Sequence, residues 1–449
     1  MSRTPERIET IPFEEVETFP EFTKIQHGQL FSLRLSNNTT AFTHALHRFP
    51  AKYIPQVPAW ALDTFGSPGI VTLDPFMGSG TTLVEGVLRG GTHIGLDIDP
   101  LARFIARAKV DAAHHERIAE LAEEIKLRWR EPARQLRPPM PDIYNFDHWF
   151  NPRQWAWLQS LKEVILALDC SDEARTFLLA VFSSTLRRVS NADDQSQKTY
   201  VSGTHHKAPP AVPDVFWRFL GRAIEGLADL NRKRHSEAVT RIIEAADATN
   251  PGLPPHGVSL AITSPPYLDS VDYPYNLMLE YFWLGPHLGI PDRRHFNALR
   301  GRPVGAKHPV CREALPECLV GLIRLDMMAP ARQAAASTYF SLMARHFRAV
   351  ALCLVPGARY VLVVGNSQSR LDVVPVHQAL VALAASAGLR LERAFGYRIR
   401  RHYMKFPRNG RGGIILIDWV LVLRKQRSDD PRPSLPLPWV TLSPRAVAH

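Results

Sequence analysis

The sequence predicts an α/β chain in which a parallel sheet is interrupted by a helical segment and resumed after it. Three observations lead there. A short β-branched run from Ile70 to Leu73 meets a Gly-rich turn, a helical stretch from Thr81 to Leu88 follows, and a second strand pattern spans His93 to Ile98; this is the strand–turn–helix–strand order of a βαβ unit. Residues 101–130, 152–190 and 213–247 carry Ala, Glu, Arg and Leu at helical spacing, so the middle third reads as mostly helix. Strand patterns return at Val258 to Thr263, Tyr360 to Val364 and Ile414 to Leu423.

Taken in order, residues 1–45 read as an irregular polar lead-in, 46–112 as the first half of the sheet and 113–250 as a helical insertion with room for DNA contacts. Residues 251–426 read as the second half of the sheet with an inserted lobe around 286–350, which opens on a stretch rich in Pro, Arg, His and Gly. A Pro-rich tail, 427–449, reads as extended.

The 449 residues, 45% hydrophobic and 22% charged, have the composition of a globular protein with a full core. Lys and Arg number 54 against 43 acidic residues, a net charge of +11 that suits a polyanionic partner. The four cysteines, Cys170, Cys311, Cys318 and Cys353, form no CxxC and no Cys/His constellation, so they read as reduced core thiols and point to neither a disulfide framework nor a zinc site. His205-His206 and His114-His115 lack a third ligand at metal spacing, and no metal is expected. A charged amino terminus and the absence of a membrane-length apolar run give the expectation of a soluble, cytoplasmic protein.

The turn Asp74-Pro75-Phe76-Met77-Gly78-Ser79-Gly80-Thr81-Thr82 leaves a strand and opens a helix, so its glycines let the backbone approach a ligand closely. It lacks the Lys-Ser/Thr ending of a phosphate-binding loop and the GxGxxG of a dinucleotide fold. An acid follows at the next strand end, in Gly95-Leu96-Asp97-Ile98-Asp99-Pro100. Asp97 is placed to accept both ribose hydroxyls of an adenosine, while Asp99, before Pro100, caps the following helix or flanks the adenine.

Ala261-Ile262-Thr263-Ser264-Pro265-Pro266-Tyr267 ends an apolar run, which puts Ser264 at the carboxyl end of a strand. The two prolines stiffen the backbone. The Ser264 hydroxyl and a fixed carbonyl beyond it are acceptors for one amino group, and Tyr267 offers a face for a base.

With these segments in view, the chain resembles the amino-methylating DNA methyltransferases, which act on cytosine N4 or adenine N6. DPFMGSGTT stands as their cofactor motif, TSPPY as their catalytic motif, and His47-Arg48-Phe49-Pro50-Ala51-Lys52-Tyr53 as a cofactor-side motif that precedes the turn. The resemblance covers about a quarter of the chain, mainly 44–110 and 258–285.

It implies a Rossmann-like class I S-adenosylmethionine-dependent methyltransferase fold with a largely helical insertion. It implies that Asp74, Phe76, Gly78, Gly80 and Thr81 contact S-adenosylmethionine, that Asp97 holds its ribose, and that Phe49 and Lys52 border its methionine end. Ser264, Pro265, Pro266 and Tyr267 would hold the target, with Asp272-Tyr273 behind them. The expected partners are DNA and a cognate restriction endonuclease or other defence component. Ser264, where adenine-specific members usually carry Asp or Asn, favours cytosine N4. Methylation at cytosine C5 needs a nucleophilic Cys after Pro, and no cysteine here follows a proline.

For DNA contact the basic stretch 393–411 stands out, with Arg398, Arg400, Arg401, Lys405 and Arg408 set among Tyr397, His402, Tyr403 and Phe406. A second stretch runs from Arg187-Arg188 to Lys207. Two rival readings share the motifs: an RNA methyltransferase acting on a guanine amino group, and a non-enzymatic DNA-binding subunit.

Overall fold

The computed structural model describes residues 12–34, 38–50, 52–111, 114–131, 146–194, 198–204, 207–244, 247–268, 272–306, 312–368, 373–400 and 415–430. Eleven strands lie within them: β1 (Glu14–Val16), β2 (Leu30–Leu33), β3 (Val71–Asp74), β4 (Gly91–Leu96), β5 (Ala238–Ile243), β6 (Val258–Thr263), β7 (Leu354–Gly365), β8 (Ser367–Gln368), β9 (Val373–Val374), β10 (Leu389–Arg398) and β11 (Ile417–Lys425). Nine form one sheet in the order β1-β2-β10-β11-β7-β6-β3-β4-β5, and β8 pairs only with β9. Every pairing in the large sheet is parallel except those of β11, which runs against both β7 and β10.

The central strands are Val/Ile/Leu-rich because both faces are covered, as in parallel sheets generally. Side chains alternate between the two layers. Val361 and Val363 of β7 join Leu260 and Ile262 of β6 beneath Val57, Trp60 and Ala61 of helix Gln56–Phe65. Leu362 and Val364 point the other way, into a core with Phe340, Met343 and Phe347 of helix Pro330–Cys353 and Leu380 and Leu383 of helix Val376–Ser386. The result is a Rossmann-like α/β sandwich, as expected.

The chain departs from β3 towards β4 and β5 on one side and continues from β6 through β7 to β11 and β10 on the other. The order therefore reverses between β3 and β6, and such a switch point leaves a crevice at the carboxyl ends of its two strands.

Four boundaries differ from the sequence reading. The lead-in adds β1 and β2 to the sheet edge beside β10, since Leu30, Phe31 and Leu33 are apolar enough to pair and be buried. The helical pattern over 213–247 ends at Lys233, and Ala238–Ile243 is a strand of the large sheet; four of its six residues are partly covered and none is buried, a weak signal beside a strong helix. The lobe around 286–350 includes a 24-residue helix, Pro330–Cys353, that belongs to the core. Part of the basic stretch, Arg393 to Arg398, is the end of β10. Cys353 is buried as expected of a core thiol, whereas Cys318 is exposed.

The helical insertion is a layer of its own. Helices His115–Arg128, Pro152–Leu166, Asp172–Val189 and Val212–Lys233 bury Ile118, Leu158, Phe177, Phe182 and Phe216 together with Leu101 and Ile105 of helix Pro100–Val110. Among the described residues, no helix is long and apolar enough to cross a membrane.

Candidate functional site

The two sequence motifs, which begin 189 residues apart at Asp74 and Thr263, meet at the switch point. Asp74 ends β3 and Thr263 ends β6. The Thr263 hydroxyl donates to Asp74 Oδ1 at 2.5 Å, and the Phe76 N–H is shared between Thr263 Oγ1 and Asp74 Oδ1, each at 3.2 Å. Asp74 Oδ2 accepts from Thr82, which also bonds to Tyr53. Burial raises the Asp74 carboxyl to about 6, against the pull of these donors.

Above this staple lies a cleft with about 1110 Å³ of atom-free space, its open mouth included. That suits a nucleoside-sized ligand together with part of a second one. Phe49, Lys52, Phe76, Gly78, Thr81 and Asp97 line it, as do Ser264 and Pro266. Asp74, Gly80, Pro265 and Tyr267 do not. Three of the four have a physical reason to be elsewhere. The Asp74 carboxylate is spent on the staple. Gly80 adopts φ of +79° at the start of helix Thr81–Val87, where a Cβ would stand 3.0 Å from that of Ala106, so it serves helix packing and not ligand approach. Tyr267 donates its hydroxyl to Asp418 at 2.8 Å, with its ring laid over Gly365. Gly78 is the glycine of the cleft, at φ of +49° with Phe49 against it.

Asp97 Oδ2 accepts from the Gly78 N–H and Oδ1 from the Asp99 N–H, both at 2.9 Å, which leaves a second lone pair on each oxygen. Burial, then the neighbouring Asp99 charge, pushes it up to about 7. Asp99 Oδ1 accepts from Leu101 N and Ala102 N, the helix cap expected of it, and from the Tyr281 hydroxyl. Its Oδ2 is buried with no hydrogen-bond partner among the described residues, and Asp99 is one of the residues that line the cleft. Diol acceptors, an orphaned acceptor and a Phe76 face fit the ribose and base of a nucleoside cofactor.

The cofactor-side segment is held from behind. His47, kept neutral by burial, which lowers its pKa to about 3, links to Ser183 of helix Asp172–Val189 at 3.0 Å. Lys52 donates to the His44 carbonyl at 3.0 Å. Phe49 lies nearly parallel to Tyr273, with rings 18° apart in plane and 6.5 Å between centroids.

Several lining residues have no counterpart in the sequence reading. Tyr273 is not one of these: the sequence reading sets it behind the target, and in the structure it lines the cleft. Asp247, Ala248 and Thr249 reach it from the turn after β5, where Asp247 Oδ1 accepts from Thr249 N and Asn250 N. The Asp-Ala-Thr-Asn string is the available signal, and the helical reading of 213–247 runs up to its first residue. Arg302, Pro303 and Val304 come from the inserted segment after helix Arg293–Arg300.

The DNA-contact residues fare differently. Arg401, Lys405 and Arg408 lie outside the described residues. Arg398 sits over the Phe13 ring, and Arg400 donates to Ser32 Oγ at 2.8 Å beside Glu15, so both tie the N-terminal strands to the sheet edge. Arg187 is buried and donates to Thr199 Oγ1 and the Asp193 and Lys198 carbonyls, a structural hub and not a free cation.

No family model matches the chain. A Type II methyltransferase of Kocuria varians, M.MvaI, is 31% identical over 308 residues, which is 63% of this chain and 66% of that protein. The chain is similar to Type II methyltransferases. M.BsoBI of Geobacillus stearothermophilus is 25% identical over 300 residues, 61% of this chain and 57% of its own length. M.MjaII of Methanocaldococcus jannaschii is 30% identical over 113 residues, 25% of this chain and 21% of that one. The chain thus spans 66% or less of each relative's length. Among solved structures, the rRNA methyltransferase aviRa of Streptomyces viridochromogenes overlaps 87% of this chain and 94% of its own, at 12% identity and a TM-score of 0.32.

Proposed function

We propose that this protein is an S-adenosylmethionine-dependent DNA methyltransferase that modifies an exocyclic amino nitrogen, cytosine N4, at a specific sequence. The observation that carries it is the meeting of the Gly-rich turn and the Ser-Pro-Pro-Tyr segment in one cleft, stapled through Asp74 and Thr263. The similarity to named Type II methyltransferases supports it. Ser264, where adenine-specific enzymes usually carry Asp or Asn, supports N4 over adenine N6.

Bound S-adenosylmethionine supplies an electrophilic methyl group on a sulfonium. Asp97 accepts the ribose hydroxyls, Asp99 Oδ2 lies within the same wall, and Phe49, Phe76 and Lys52 border the remainder. A cytosine amino lone pair is delocalised into the ring, so it is a poor nucleophile until acceptors draw its hydrogens out of plane. Ser264 Oγ, which lines the cleft, is such an acceptor, and holding the amine in line supplies the remaining advantage. An amino group inside a duplex is reached by flipping the target base out of the stack. Contact with Tyr273 and Phe49 offsets part of an unstacking cost on the order of a few kcal/mol. A cognate restriction endonuclease belongs to this reading as a partner.

The test is incubation with labelled S-adenosylmethionine and unmethylated genomic DNA, digestion to nucleosides and mass spectrometry. N4-methylcytosine that disappears in Ser264→Ala is expected. N6-methyladenine would keep the chemistry and correct the base, whereas labelled RNA and unlabelled DNA would overturn the DNA assignment.

A further inference from the structure

Lys109 lies in the last turn of helix Pro100–Val110, is fully buried and belongs to neither motif. Burying a charge is unfavourable unless it is paired. Its Nζ donates to a neutral group, the Ser79 hydroxyl, at 3.0 Å, and among the described residues no carboxylate lies within ion-pair reach of it. A cation in the last turn of a helix ordinarily serves the helix dipole or a surface acid. Arg107, in the same turn, does the latter by pairing with Glu244. Lys109 instead reaches the Gly-rich turn.

Helix and turn meet closely there. Ala106, three residues before Lys109 on the same helix face, packs on Gly80, where a Cβ would stand 3.0 Å from that of Ala106. The Thr43 hydroxyl donates to the Lys109 carbonyl at 3.0 Å, and the next residue, His44, offers its carbonyl to Lys52 Nζ, also at 3.0 Å. Both lysines are thus anchored to one short segment, and Lys52 lines the cleft. Burial, and then the Lys52 charge, hold Lys109 well below the ordinary lysine value. Like charges beside one cavity are relieved by an anion within it.

Proton counting gives the direction. An ammonium has hydrogens and no acceptor lone pair, so Ser79 Oγ accepts from Lys109 and its own hydrogen is left for another acceptor. Ser79 lines the cleft beside Gly78, against which Phe49 lies. Phe49 and Lys52 mark the end assigned above to the methionine part of the cofactor, which carries a carboxylate.

We propose that Lys109 is the buried counter-charge for the carboxylate of S-adenosylmethionine, a positioning residue that acts through the Ser79 hydroxyl. The inference rests on the reading of the cleft as the S-adenosylmethionine site. Ser79 and Lys52 would hold the carboxylate, and Lys109 polarises the Ser79 hydroxyl from behind, which strengthens its bond to an anion. The carboxylate is the same before and after methyl transfer, so this contact sets cofactor affinity and leaves the chemical step alone.

Lys109→Met removes the charge at similar length, Lys109→Gln keeps a donor for Ser79, and Ser79→Ala removes the hydroxyl. Calorimetry on the full chain compares S-adenosylhomocysteine with 5′-methylthioadenosine, which has the nucleoside and the sulfur without the amino-acid part. Each variant is expected to bind S-adenosylhomocysteine at least tenfold more weakly than wild type, with 5′-methylthioadenosine within twofold. Lys109→Met combined with Ser79→Ala is expected to lose no more than the weaker single, since both act in one chain. The KM for S-adenosylmethionine should rise at least tenfold in Lys109→Met, with the single-turnover rate at saturation within threefold of wild type. Unliganded Lys109→Met should unfold at the wild-type urea midpoint or above, because it no longer buries an unpaired charge. Equal losses for the two ligands would make Lys109 a brace for the turn and overturn the proposal, as would S-adenosylhomocysteine affinity within twofold of wild type in both Lys109 variants. A wild-type protein that binds neither S-adenosylmethionine nor S-adenosylhomocysteine would instead overturn the reading of the cleft on which the proposal rests.

Discussion

Asp97 joins the cofactor turn to the second strand end, and its protonation decides what it can hold. Its carboxyl sits at about 7 in the folded chain against an ordinary 3.8, chiefly through burial. A folded-state pKa raised in this way favours the folded protein fully below the unfolded value, and that contribution is lost as pH rises through about 7. Ligand binding runs the opposite way, because ribose hydroxyls need an ionised acceptor. S-adenosylmethionine affinity should therefore strengthen between pH 6 and pH 8, approaching about tenfold per pH unit well below the pKa and flattening above it. Asp97→Asn should weaken binding by at least about tenfold, the worth of 1.4 kcal/mol, and flatten the profile. Equal affinities at pH 6 and pH 8 in wild type would remove Asp97 from the ribose site. Asp97 was legible from its place in a Gly-Leu-Asp string at a strand end. The confinement of Asp74 and Tyr267 outside the cleft was not, because their partners Thr263 and Asp418 come from strands distant in sequence.

At the scale of elements, the cleft exists because β3 and β6 are neighbours, and Thr263 is the side chain that binds their ends together. Thr263→Val is nearly isosteric. It would leave Asp74 Oδ1 without its 2.5 Å donor and the Phe76 N–H short of an acceptor in a buried setting. The expected loss is about 1–3 kcal/mol, measured by urea denaturation of the unliganded protein. An unchanged midpoint would show that water or a local shift satisfies both groups. Strong periodicity made β3, β6 and the helix at Thr81 readable, whereas β5 and β10 were not. β5 is a half-covered edge strand after a 22-residue helix, so the helical pattern overran it. The arginines of β10 resemble a nucleic-acid surface in sequence, and packing against Phe22, Ile25 and Phe13 turns Arg393 and Arg398 into braces for the N-terminal strands.

The whole molecule carries a net charge of +11, and this bears on binding through long-range fields and not through the fold. DNA association should be strongly salt-dependent, with a slope of log K against log salt steeper than about −3, each phosphate contact contributing about −0.9. A flat dependence between 50 and 200 mM salt, measured by fluorescence anisotropy, would count against a duplex partner. The helical insertion contributes at this scale too. It shares a core with helix Pro100–Val110 and reaches the cofactor-side segment through His47 and Ser183, so it buttresses the site from behind.

What the sequence by itself determined was the make-up of the two motifs, the α/β class and the acid at the second strand end, because each depends on residues close together along the chain. Tertiary structure alone decided which of those residues face the cleft. Strand order brings Thr263 to Asp74, Gly365 opens the way from Tyr267 to Asp418, and the turn after β5 adds Asp247 to the wall. These contacts join positions roughly a hundred or more residues apart, and no local pattern encodes a partner that only the pairing of strands brings within hydrogen-bond reach.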